Sequence, residues 1–166
     1  MAAAPALALD FTSSNLPIIL VDTPDGDIPD EPKVDARMRV IDNGPGRRNH
    51  VDDEPSAYDG IVGIELRGSS SLNFPKKSFG LETRKEDGSN RNVPLLGLPE
   101  ENDWVLHGPY SDKSLMRNVI AYWIAAELGR YASRARFCEL VIDGYYMGLY
   151  VLLEKIKRDS GRIDIA

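Results

Sequence analysis

The chain has 166 residues, an apolar fraction of 42% and a formal net charge of −6. That size suits one domain with a hydrophobic core, and the apolar content argues against wholesale disorder. The acidic balance argues against a general nucleic-acid binder, and no apolar run is long enough to span a bilayer.

Residues 1–15 read as a flexible tail. Their start, Met1-Ala2-Ala3-Ala4-Pro5-Ala6-Leu7-Ala8-Leu9, lacks a basic beginning and a proper apolar core, so it makes a poor signal peptide. Residues 16–22 (Leu-Pro-Ile-Ile-Leu-Val-Asp) read as a short buried strand. Residues 23–33 are punctuated by Pro24, Gly26, Pro29 and Pro32 and read as turns. Over 34–41 the chain alternates: Val34, Ala36, Met38 and Val40 face one way, Asp35, Arg37 and Arg39 the other. That pattern predicts a half-solvated antiparallel strand. Residues 43–59 are polar and read as an exposed loop, and 60–66 as the next strand.

The most informative stretch follows: Arg67-Gly68-Ser69-Ser70-Ser71-Leu72-Asn73-Phe74-Pro75-Lys76-Lys77-Ser78-Phe79. It gathers an arginine, three hydroxyls and two lysines in a Gly-headed connection between two strands. Such a segment can offer hydroxyls, backbone N–H groups and fixed positive charge to a small anion, phosphate above all. If the strand has begun at the lysines, Lys77 shares a side with Phe79 and Leu81 and points into a cleft, and Lys76 is the surface charge. The plain alternative is a hairpin loop with solvated charges; the segment lacks the spacing of a Walker A loop.

Residues 78–84 read as a strand, 86–90 as a turn, and 93–98 and 103–106 as short apolar elements. Residues 112–128 predict one long amphipathic helix. Leu115, Val119, Tyr122 and Ala126 fall at helical spacing, widened by Met116, Ile120, Trp123 and Ile124, with Ser111 or Asp112 as N-cap and Gly129 as the stop. A face this wide implies burial against a sheet. Residues 136–142 and 145–154 then form a hairpin about Asp143-Gly144, the dipeptide a type I′ turn favours. Trp104 and Trp123 read as core, and Tyr145, Tyr146 and Tyr150 as packing residues. Cys138, the one cysteine, sits in an apolar strand as a structural thiol, so the fold needs no internal disulfide. His50 and His107 are isolated and suggest no metal cluster.

The element order predicts an α+β fold, a curled antiparallel β-sheet with one long amphipathic helix. Three blocks taken together, the 67–79 segment, Ser111-Asp112-Lys113-Ser114-Leu115-Met116-Arg117-Asn118, and Asp143-Gly144-Tyr145-Tyr146-Met147-Gly148-Leu149-Tyr150-Val151-Leu152-Leu153-Glu154, resemble the CotH family of spore-coat-protein-H-like atypical protein kinases. The resemblance runs from about residue 16 and is strongest from Arg67 onward. It implies a protein-kinase amino-terminal lobe over residues 16–158, with 159–166 as the start of a carboxy-terminal lobe. It implies a site for ATP with Mg²⁺ or Mn²⁺ built from Arg67, Ser69, Ser70, Ser71, Lys76, Lys77, Arg117, Asn118 and Glu154, and transfer of the γ-phosphate to Ser/Thr of secreted or spore-coat proteins.

Within that pattern Arg117 would contact phosphate, clamp a carboxylate such as Glu154, or simply fix the helix to neighbouring carbonyls. Glu154 would hold the adenine or ribose end or pair with Lys77. A kinase also needs a catalytic aspartate and metal-binding acids. Asp159 and Asp164 lie in the tail, too few residues to build that lobe, so the expectation is an amino-terminal piece that is inactive by itself. Extracytoplasmic location and self-association through an exposed lobe interface follow from the same resemblance. The alternative reading is a non-catalytic cell-surface or spore-coat binding module of the same fold. A carbohydrate-binding β-domain is weaker still, for want of an aromatic stacking platform.

Overall fold

A computed structural model describes residues 11–163. The chain runs β1 (Ser13–Ser14), β2 (Ile18–Asp22), β3 (Val34–Ile41), β4 (Asn49–His50), β5 (Tyr58–Arg67), a 3₁₀ turn (Ser70–Asn73) and β6 (Ser78–Arg84). It continues through β7 (Val93–Leu95), β8 (Leu98–Glu101), β9 (Asp103–His107), α1 (Arg117–Glu127), β10 (Ala135–Ile142) and β11 (Tyr145–Glu154).

Seven of these strands close into a barrel in the order β10-β11-β9-β6-β5-β3-β2. Neighbours are antiparallel except at the seam, where β2 runs parallel to β10 with Ile18 opposite Glu139 and Val21 opposite Ile142. Closure overturns the expected α+β lobe: the fold is mostly β, with a closed wall in place of a curled open sheet. The helix is also shorter than predicted. It spans 11 residues, and none of them is fully buried.

The physical reason lies just upstream of the helix. Leu115 takes a left-handed conformation at φ 60°. Asp112 Oδ1 accepts from the Ser114 amide and hydroxyl, while its Oδ2 accepts from the Arg117 amide. Local side-chain bonds thus hold residues 112–116 in a turn, and the helix starts five residues late.

Alternation places the core. Ala36, Met38 and Val40 of β3, Val62 and Ile64 of β5, Phe79 and Leu81 of β6, Trp104 and Leu106 of β9, and Cys138, Leu140, Tyr150 and Leu152 of the closing hairpin form one buried cluster. The β7–β8 hairpin adds Val93, Leu95 and Leu98 to it. Two smaller clusters lie on the outer wall. Ile18, Leu20 and Ile41 pack with Phe11, Val51 and Val141. Val105, Val151 and Leu153 pack with Val119 and Tyr122 of the helix. Strand β2 is therefore apolar on both faces, which accounts for its unbroken Ile-Ile-Leu-Val run.

Residues 11–15, expected in the tail, belong to the fold. Ser13 and Ser14 pair with His50 and Asn49, and Phe11 stacks on Tyr146 with centroids 4.1 Å apart. That pairing also stitches down the loop expected to be exposed over 43–59, where buried Asn49 bonds the Leu16 carbonyl and the Asn43 amide. The rest of the tail, residues 1–10, lies outside the described residues, as does Asp164. The Asp143–Gly144 turn is as predicted, with both residues at positive φ (50° and 78°). Trp104 is core as expected, but Trp123 is 61% exposed.

Candidate phosphate-binding cleft

The elements meet in a cavity of about 500 Å³ against the outer wall of β9 and β11. Its walls come from the hydroxyl-rich segment (Arg67, Ser71, Lys76), the turn after β9 (His107 to Asp112), the helix (Asn118, Tyr122) and the end of β11 (Glu154 to Ile156). Register explains the meeting. Arg67 is opposite Ser78, Phe79 is opposite Leu106, and the Gly108 amide donates to Ser78 Oγ at 3.0 Å. The strand ends that carry the hydroxyl segment and the His107–Asp112 turn are thus side by side.

Gly68 makes the segment's sharp departure from β5. Its φ is 145°, and a Cβ there would strike Ser71 Oγ. Inside the 3₁₀ turn the Leu72 amide bonds the Ser69 carbonyl and the Phe74 amide the Ser71 carbonyl. Lys77 Nζ donates to the Leu72 carbonyl, closing the loop from behind.

Lys76, expected at the surface, is partly buried and is the one of the two lysines that lines the cavity. Its stem lines the cavity. Its Nζ lies 4.5 Å from the Tyr150 ring centroid and donates to the Met147 carbonyl at 3.2 Å. Burial lowers its pKa, opposed by the charge of Glu139. The parity argument fails because β6 begins only at Ser78, so residues 75–77 are not yet pleated. Tyr150, read as packing, is fully buried and donates its hydroxyl to the Lys77 carbonyl at 2.8 Å.

Of the residues expected at the site, Arg67, Ser71, Lys76, Asn118 and Glu154 line the cavity, and Lys77 and Arg117 do not. Ser69 and Ser70 do not line it either. Arg117 is largely exposed, its Nε 3.5 Å from Asp112 Oδ1. Asn118 Nδ2 lies 3.2 Å from His107 Nε2. An amide nitrogen donates, and Nε2 of a neutral imidazole can accept from it. Burial and the Arg67 charge both lower the His107 pKa, against the pull of Asp112.

Glu154 lines the cavity but pairs with neither Lys77 nor Arg117. It is buried and held by two arginines that sequence reasoning missed. Arg134 donates to it from its amide (3.0 Å) and from Nε (2.8 Å), and Arg162 from Nη1 (2.6 Å). Arg162 is itself buried, with its guanidinium 4.9 Å from the Trp104 ring centroid. Residues up to 163 thereby fold back on the barrel. His107, Tyr110 and Asp112 were missed as well; the one signal for them was the Gly108-Pro109 break ending a strand beside the hydroxyl segment.

Fold and cleft together define a β-barrel domain carrying a polar, partly cationic cleft between its wall and α1. A family model described as CotH kinase protein matches residues 64–163, the part of the chain that builds every wall of that cleft. The chain belongs to the CotH kinase protein family. A search of curated proteins returns no match.

Proposed function

We propose that the cleft binds the phosphate chain of ATP, as the nucleotide-binding part of a CotH-like protein kinase acting on Ser/Thr of secreted or spore-coat proteins outside the cytoplasm. The observation that carries this reading is the convergence of Arg67, Ser71 and Lys76 of the hydroxyl-rich segment with Asn118 of the helix on one cavity of about 500 Å³. Arg67 makes no ion pair among the described residues. Its planar fork suits two phosphate oxygens at once. Ser71 and Asn118 add neutral donors, and Lys76 lines the wall with its stem while its charge is held at the Met147 carbonyl. Phosphoryl transfer is chiefly positioning and charge stabilisation, so this donor set fits the substrate class.

Nucleotide arrives with Mg²⁺ or Mn²⁺, which neutralises charge developing on the phosphates. Among the described residues no cluster of three or more His, Cys, Asp or Glu is placed to hold a metal ion, and no metal ligand is assigned. The test is calorimetric titration of the chain with ATP and ADP in the presence of either metal. Losing a hydrogen bond to a charged group costs about 1.5–3 kcal/mol, so Arg67→Ala should weaken binding roughly tenfold to a hundredfold. Unchanged affinity in that variant would put the phosphates elsewhere, and no heat from the unaltered chain would remove the reading.

A further inference from the structure

The outer face of α1 is apolar where a lone domain would carry charge. Met116, Ile120, Ile124 and Leu128 fall at successive turns on the side away from the barrel, and are 47, 42, 47 and 74% exposed. The helix packs through Val119 and Tyr122 instead. A helix apolar on both sides is one that something covers.

The order of residues on that face says what. Position 122 is its centre. Ile120 and Ile124 lie two residues to either side, Arg117 and Glu127 five, and Met116 and Leu128 six. An antiparallel copy of the same helix, related by a two-fold axis level with position 122, sets Ile120 level with Ile124 of the second copy. The same operation sets Met116 level with Leu128, and Arg117 level with Glu127. Apolar meets apolar and cation meets anion at these three matched pairs, twice over by symmetry, which is the self-complementarity an isologous contact requires. Arg117 is 77% exposed and holds Asp112 only through Nε at 3.5 Å, which leaves its Nη atoms to reach a second copy, and Glu127 is exposed too.

We propose that α1 is a homodimer interface, in which two copies of this chain pair their helices antiparallel through Ile120 and Ile124, with Arg117 and Glu127 crossing between copies. This surface lies on the solvent side of the helix, whereas Asn118 and Tyr122 face the cleft, so pairing leaves the cleft walls in place.

Sedimentation velocity of the whole chain over a wide concentration range tests it. The expected result is a monomer–dimer equilibrium that Ile120→Glu abolishes without changing the thermal midpoint, since Ile120 is half exposed. Arg117→Glu should weaken the dimer roughly tenfold, as two exposed pairs turn repulsive. Combining it with Glu127→Arg should return affinity to within about threefold of the original, a rescue that non-specific hydrophobic association would not show. A monomer at every concentration, a dimer indifferent to Ile120→Glu, or a charge-swapped double variant no tighter than the single one would each overturn the proposal.

Discussion

Glu154 shows how much one side chain decides. It is buried at the end of β11, where Arg134 and Arg162 supply four donor contacts between them. Removing one partner of a buried ion pair strands the other, so Glu154→Ala should cost about 3–5 kcal/mol, read as a lowered urea midpoint. A loss below about 1 kcal/mol would mean that the arginines find water instead. Asp112 makes a pH-dependent contribution at the helix start. The Ser114 hydroxyl bond first, then the Arg117 and Ser114 amides, hold its pKa down to about 2. The folded value lies below the ordinary carboxylate range, so the contribution is whole above about pH 4 and fades as pH falls toward 2. NMR titration of the Asp112 carboxyl should give that low midpoint, and the Arg117 amide should shift with it. A midpoint near 4 would mean that the cap does not persist in solution. Asp112 was readable as a cap from its place before the helix, whereas the Glu154 clamp was not legible in the chain. Arg134 and Arg162 are 20 and 8 residues from Glu154, and nothing in their local pattern points inward. Arg67 and Asn118 were legible as site candidates because unusual polar residues cluster there. Lys76 and Lys77 were not separable, since neither belongs to a strand.

The closing hairpin is the element on which the barrel's seam depends. Its Asp143-Gly144 turn was readable directly from the dipeptide. The turn also reaches across to β2: Asp143 Oδ1 accepts from the Thr23 amide at 2.7 Å, Oδ2 accepts from the Thr23 hydroxyl at 2.8 Å, and the Asp143 amide donates to the Val21 carbonyl at 2.9 Å. Asp143→Ala keeps the last of these and loses the first two. The expected cost is about 1–3 kcal/mol, and it should fall locally. Amide exchange ought to quicken along β2 and the facing stretch of β10 while β5 and β6 stay protected. Uniform quickening across all strands would mean that the seam does not open separately. Strand periodicity was legible wherever one face is wet, as over Val34–Ile41. It could not show the partner of β2, because a strand apolar on both sides carries no facing information and its neighbour lies some 120 residues away. The helix misled for the opposite reason. Its apolar width suggested deep burial, whereas only the Val119 and Tyr122 side meets the wall, and the excess is accounted for by a second contact surface.

For the molecule as a whole, closure rather than layering confers stability. An open curled sheet with β2 at one edge would lose that strand at modest cost and leave the remaining sheet folded. In the closed barrel β2 is the stave between β3 and β10, and its removal creates two unpaired edges at once. Its side chains also serve two cores. Ile19 and Val21 point into the barrel, and Ile18 and Leu20 pack beneath Phe11 and Val51. Each is at most 6% exposed. Burial of one such side chain is worth about 1.5–3 kcal/mol, so four together, about 6–12 kcal/mol, are comparable with the roughly 5–15 kcal/mol that holds a domain folded. A chain beginning at residue 24 should therefore show no cooperative thermal transition by circular dichroism and should aggregate through its bare edges, instead of melting a few degrees early. A truncated chain that stays monomeric, retains its sheet signal and melts within about 4 °C of the original, the shift expected of roughly 1 kcal/mol in a domain near this size, would show that the seam is dispensable. The cleft would then rest on the β5–β6–β9–β11 portion of the wall alone.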